Sequence, residues 1–138
     1  MIRVVIDPGV FISALIGTRG DAPDTVVRAF VDERIAVVAS PLLLDELERV
    51  LRRPKFARYA NERTRHEFVE RVRRHATVVE DPAAAPPVTR DPKDDYLVAL
   101  ALQEGVDAIV SWDGDLLEAG LEQVVWSPRK AADRIAAE

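Results

Sequence analysis

The sequence has no cysteine and only two histidines, His66 and His75, both inside a charged segment. The first absence excludes disulfides and thiolate metal sites, and the second argues against an imidazole-rich site. Any metal bound here must therefore be held by oxygen. Long apolar runs are missing too: nothing approaches the ~18 residues that mark a membrane span, and no basic region precedes an apolar stretch at the start. The expectation is a cytoplasmic protein with no membrane partner. At 138 residues the chain fits a single domain, 1–138, able to bury about 70% of the surface its unfolded form exposes.

What the sequence does have is carboxylate placed after apolar runs. Asp7 follows Val4-Val5-Ile6, and Asp113 follows Ala108-Ile109-Val110-Ser111-Trp112. Such runs lack polar alternation and read as strands buried on both faces, as in a parallel sheet covered by helices. Strand-like segments at 3–7, 35–39, 77–80, 107–111 and 123–126 alternate with helix-like segments at 10–16, 25–33, 41–53, 62–76, 94–104 and 128–137. That alternation predicts βαβ units. Ser40-Pro41 and Ser127-Pro128 look like N-caps with proline at the first helical position, Asn61 precedes a periodic segment, and Gly105 is placed to end a helix. Residues 81–92 hold four prolines, which predicts a surface connector.

The acids gather at the edge where open α/β sheets bind ligands, outside the carboxyl ends of their strands. On a wheel for 41–53, Leu43, Leu44, Leu47, Val50 and Leu51 form one apolar arc, and Glu46 sits on its shoulder. A carboxylate there needs a partner, such as Arg49 or Arg53, or a cation. Asp94 and Asp95 open a helix apolar nearly all round, and the wheel does not separate them. Asp113 and Asp115 flank Gly114 in a turn, and Asp7-Pro8 reads equally as an N-cap. Each acid has a local explanation. Together, like charges at one sheet edge raise one another's pKa unless a cation neutralises them, and hard oxygen donors select Mg²⁺ or Mn²⁺.

The charge is also unevenly spread. Arg49 to His75 holds ten Lys/Arg against three acids, a net +7, which leaves −12 for the remainder of a chain of net −5. A basic arm, with Arg49, Arg52, Arg53, Arg71, Arg73 and Arg74 as candidate phosphate contacts, beside an acidic site suits an enzyme acting on a polyanion. The alternative is a solvated helical face.

In order along the chain come a strand ending in Asp7, then Ser-Pro-Leu-Leu-Leu-Asp-Glu-Leu with Glu46, then Asp-Pro-Lys-Asp-Asp-Tyr-Leu-Val-Ala-Leu-Ala, then Ile-Val-Ser-Trp-Asp-Gly-Asp-Leu-Leu. This series resembles PIN-domain ribonucleases, and most of all the toxin components of bacterial toxin–antitoxin pairs. The resemblance covers nearly the whole chain. It implies a three-layer α/β sandwich with a central parallel sheet of four to five strands. It also implies that Asp7, Glu46, Asp95 and Asp113 hold Mg²⁺ or Mn²⁺, with Asp115 auxiliary and Ser111 hydrogen-bonding near the site. The 18-residue step from Asp95 to Asp113 is what chooses Asp95 over Asp94. The implied activity is endonucleolytic hydrolysis of RNA, and the implied partners are RNA, an antitoxin and a second copy of the chain.

One departure stands out. The family's first motif usually reads Asp-Thr-Asn, and here Asp7 is followed by Pro8-Gly9. The amide that would orient the acids is missing, and losses of that kind typically cost about 10–100-fold. A degenerate PIN domain acting as an RNA- or protein-binding module is therefore the second reading. Phosphotransfer through an aspartyl nucleophile is a distant third, because no second acid follows Asp7 at two residues and no lysine ends a later strand.

Overall fold

The computed structural model describes residues 1–85, 87, 91–113, 116 and 124–138. Five parallel strands form one sheet in the order β3-β2-β1-β4-β5: β1 (Arg3–Ile6), β2 (Ala36–Ala39), β3 (Thr77–Val78), β4 (Ala108–Val110) and β5 (Val125–Trp126). The chain lays down β1, β2 and β3 toward one edge, then returns to build β4 and β5 on the other side of β1. That reversal creates a switch point between β1 and β4. Val5 pairs with Ile109 and Ile6 with Val110 there, so Asp7 and Ser111 leave the sheet side by side.

The strands are apolar on both faces because both are covered. Val4, Val5, Ile6, Ala108, Ile109 and Val110 are all buried. Among the described residues, α1 (Pro8–Ile16), α2 (Ala22–Val31), α3 (Pro41–Leu51) and α4 (Glu62–His75) pack against one another, while α5 (Pro92–Glu104) lies on β1 and β4. Right-handed crossovers put α5 on the opposite face, because its connection runs back across the sheet. The last helix, α6 (Pro128–Ala136), packs on α2. Phe11 sits at the centre of the helical layer, edge-on to Phe30 at 6.0 Å and to Phe68 at 6.4 Å. The α/β sandwich expected from the sequence is the fold observed.

The helix starts show where the chain's signals lie. Ser127 Oγ accepts from Lys130 N at 3.1 Å, and Asn61 Oδ1 accepts from Thr64 N at 2.8 Å, as expected of N-caps. Ser40 does not cap α3. Its hydroxyl hydrogen-bonds Tyr96 on α5, and Asp81 takes over the cap by accepting from Leu42 N at 3.0 Å and from the Tyr96 hydroxyl at 2.6 Å. One carboxylate thus ties α3 to α5. Burial works to raise the Asp81 pKa, but hydrogen bonds from Tyr96, Ser40 and Leu42 outweigh it and hold it below the usual value.

The remaining boundaries shift by small steps. The helix expected at 10–16 starts at Pro8, with Asp7 as its cap, and the one expected at 94–104 starts at Pro92, capped by Asp91. Asp21, accepting from Asp24 N at 3.0 Å, moves the start of α2 back to Ala22. The strand expected at 77–80 is only Thr77–Val78, because at the sheet edge Val79 contributes just one further bond, to Ala39 O. Of the strand expected at 123–126, Gln123 lies outside the described residues.

Candidate functional site

At the switch point, the carboxyl ends of β1 and β4 open into a cleft of about 240 Å³. Among the described residues its lining includes five carboxylates, Asp7, Glu46, Asp91, Asp94 and Asp113, and a single cation, Lys93. Four elements deliver them. Asp7 ends β1, Glu46 and Val50 face in from α3, Asp94 and Leu97 from the first turns of α5, and Asp113 follows β4.

Asp7 is held at both oxygens. Oδ1 accepts from Gly9 N at 3.1 Å and Oδ2 from Ser111 Oγ at 2.8 Å, and Ser111 Oγ in turn accepts from Asp113 N at 3.0 Å. The fully buried Ser111 therefore links two of the acids through one hydroxyl. Burial raises the Asp7 pKa, the Gly9 and Ser111 bonds oppose it, and the charges of Glu46 and Asp113 add to it. The net direction is upward.

Asp94 is the most perturbed. It is 4% exposed, and its Oδ2 is buried without a hydrogen-bond partner. Burial comes first in pushing its pKa up to about 7, followed by the hydrogen bond and charge of Asp113 and then by the charges of Asp91 and Asp7. A carboxylate normally ionises near 3.9. Here burial, and then the negative charge of nearby acids in the same corner, makes ionisation harder. Glu46 finds a partner in Lys93, Nζ to Oε1 at 3.3 Å, rather than in Arg49 or Arg53.

This donor set fits a hard cation in its chemistry: carboxylate oxygens from four elements, one of them buried and unsatisfied. It is not a closed cage. Among the described residues, no three His, Asp or Glu side chains stand ready to hold one ion. A bound cation would have to draw these acids together and displace the Asp94 proton.

A family model for the PIN domain matches residues 3–115. The chain belongs to the PIN domain family. The uncharacterized protein MJ1680 of Methanocaldococcus jannaschii is 31% identical over 116 residues, spanning 84% of this chain and 74% of that protein. PAE2754 from Pyrobaculum aerophilum, known from a crystal structure, matches with a TM-score of 0.67 at 16% identity over 100% of this chain and 91% of its own. A structure of FitAB bound to the IR36 DNA fragment matches with a TM-score of 0.54 at 17% identity over 91% and 94%. At those identities the two structures speak for the fold.

Within this PIN domain, the residues expected from sequence fall into groups. Asp7, Glu46 and Asp113 line one cleft, and Ser111 bonds directly to Asp7. Asp94 lines the cleft, whereas Asp95, preferred from its spacing to Asp113, is buried next to it without being part of the lining. The helical wheel could not separate the two because α5 is buried nearly all round, with Leu97, Val98, Leu100 and Ala101 enclosed. Asp115 lies outside the described residues. Asp91 and Lys93 were not anticipated; the signal for Asp91 was Asp-Pro at a helix start.

The Pro8-Gly9 departure also looks different in three dimensions. Pro8 occupies the first turn of α1, where its missing N–H costs nothing, and the Gly9 N–H reaches Asp7. Asp7 is thus oriented by a backbone amide and a serine hydroxyl, not left loose as the sequence suggested.

The basic window spans the end of α3, a 3-10 turn at Pro54–Phe56 and α4. Arg52 pairs with Glu48 at 2.8 Å and Arg73 with Glu70 at 2.6 Å. Arg49, Arg53, Arg71 and Arg74 are exposed and make no ion pair among the described residues.

Proposed function

We propose that this PIN domain is a metal-dependent endoribonuclease, the toxin of a toxin–antitoxin pair. The observation that supports it most is the buried, unsatisfied Asp94 Oδ2 in a cleft shared with Asp7, Glu46 and Asp113. Asp7, Glu46, Asp94 and Asp113 would hold Mg²⁺ or Mn²⁺, with Asp95 the alternative from its sequence spacing. Such an ion supplies activation of water and neutralisation of charge developing on a phosphate. The chain's own residues set the stage: Ser111 and the Gly9 amide fix the Asp7 carboxylate, and Lys93 holds Glu46 at the rim. The toxin role, the antitoxin and a homodimer follow the sequence resemblance.

The test is cleavage of RNA in Mn²⁺ by the wild-type chain and by Asp7→Asn, Asp94→Asn and Asp95→Asn. Loss of activity on order of 100-fold or more in the first two, with Asp95→Asn milder, is expected. Equal losses at Asp94 and Asp95 would return the ligand role to the pair. No Mn²⁺-dependent cleavage at all would favour the second reading, a binding module, for which the open arrangement of the acids is the specific support.

A further inference from the structure

We propose that Lys93 is a displaceable internal counter-ion: its ammonium and a divalent cation compete for Glu46, and the cation loads by driving the ammonium off. The cation site rests on the nuclease reading above; the competition rests on where Lys93 stands. Among the described residues, every other ion pair joins residues three or four positions apart, and Lys93 to Glu46 alone crosses between two helices, α5 and α3. Lys93 is also set against its own helix. It is the second residue of α5, between Asp91 and Asp94, and the positive end of a helix dipole disfavours a cation in the first turn. Local helix formation gives no reason for a lysine there, whereas the carboxylates lining the cleft do.

The pair is built to give way. Nζ stands 3.3 Å from Oε1, with the lysine side chain 55% exposed and the glutamate side chain 21%, so water screens the pair and a long stem must be held still to make it. The residue type agrees. The chain has three lysines against sixteen arginines, and an arginine here could clamp the carboxylate with two parallel N–H donors, whereas a lysine offers one point charge on a flexible stem. A divalent cation carries twice that charge and takes oxygens from several carboxylates at once. Asp7, Asp94 and Asp113 share the cleft with Glu46, so a cation there gathers partners from three further positions. Lys93 thus offsets the repulsion among the acids before loading and leaves Glu46 to the metal afterwards. The cost of the exchange is a higher metal concentration for loading.

Calorimetric titration of Mn²⁺ into the full chain, without RNA, reads the competition. Lys93→Met keeps the length of the stem and removes the charge, so it should bind Mn²⁺ roughly two- to fivefold tighter than the wild type. Lys93→Arg, a firmer clamp, should bind it no tighter, and Lys93→Met should add nothing in a Glu46→Gln background. With only three lysines in the chain, the ε-methylene resonance of Lys93 can be followed by NMR, and it should move toward that of a free lysine as Mg²⁺ is added. Equal Mn²⁺ affinity in Lys93→Met and wild type, or a Lys93 resonance indifferent to saturating Mg²⁺, overturns the proposal. A full gain in Glu46→Gln overturns it too, because Lys93 would then act only as diffuse charge. RNA cleavage keeps the two readings apart. Tighter Mn²⁺ binding by Lys93→Met, in a protein that never cuts RNA, leaves the counter-ion and sinks the nuclease, whereas Mn²⁺-dependent cleavage with an affinity blind to Lys93 does the reverse.

Discussion

At the scale of single residues, Asp94 carries the most information, because its environment works against its charge. With its pKa raised to about 7, it binds a proton more tightly folded than unfolded. Its contribution to stability is then fully present below about pH 4 and is lost as pH rises through 7, by at most ~1.4 kcal/mol per unit. Asp7, also raised, acts in the same direction. In the presence of a chelator, the melting temperature should fall from pH 5 to pH 8, and Asp94→Asn should flatten that slope and melt higher at pH 8. A metal-free protein equally stable across this range would show that Asp94 is not protonated as described. The same logic reorders expectations at Pro8-Gly9. A Cβ on Gly9 would meet Asp7 Oδ1 at 3.7 Å, an ordinary contact, so a side chain can begin there without a clash. Because Ser111 and the Gly9 amide already orient Asp7, Gly9→Asn should raise Mn²⁺-dependent cleavage by no more than a few-fold. Ser111→Ala should cost about 10–100-fold. The opposite ranking in a cleavage assay would restore the missing amide as the limiting defect.

At the scale of elements, α2 and α5 end by the same device with different residues. In α5, Val106 N bonds to Ala101 O and Gly105 N to Leu102 O, with Gly105 at φ +60°. In α2, Arg34 N bonds to Ala29 O and Glu33 N to Phe30 O, with Glu33 at φ +60°. Only the second carries a Cβ in the left-handed region, where it costs roughly 1 kcal/mol. Glu33→Gly should therefore raise the melting temperature by about 2–4 °C, and Gly105→Ala should lower it by a similar amount. Differential scanning calorimetry decides it, and a neutral Glu33→Gly would mean the strain is absent. The pair also shows what the sequence could and could not tell. Gly105, Asn61 and Ser127 were readable because their partners lie within five residues. The Asp81 cap on α3 was not, because it acts across 39 residues and displaces a serine that looked adequate. The helical wheel alone left Asp94 and Asp95 unseparated for another reason: periodicity locates a buried face only when a helix also has an exposed one.

At the scale of the molecule, the fold separates charge that the sequence only showed as segments. The acids meet at the switch point, while the basic window runs along α3 and α4. Within that window the arginines are not equivalent. Arg52 and Arg73 are spent on Glu48 and Glu70, which leaves less charge for phosphates than the net +7 suggests. Arg49 lies one turn from Glu46, on the side of α3 that presents Glu46 and Val50 to the cleft, and Arg53 follows just beyond the end of α3. Arg71 instead borders a different hollow, beside Asp24, Arg28 and Asp32. If the strand runs from the cleft along α3, charge reversal at Arg49 and Arg53 should reduce the slope of log affinity against log salt by roughly 0.7 per lost phosphate contact. Reversal at Arg71 and Arg74 should change it less. Binding of a single-stranded RNA to Asp7→Asn, titrated at several salt concentrations, measures both pairs in one series. A larger loss at Arg71 and Arg74 would move the path onto α4. An unchanged slope for both pairs would make the basic window a solvated face, leaving affinity to the cleft.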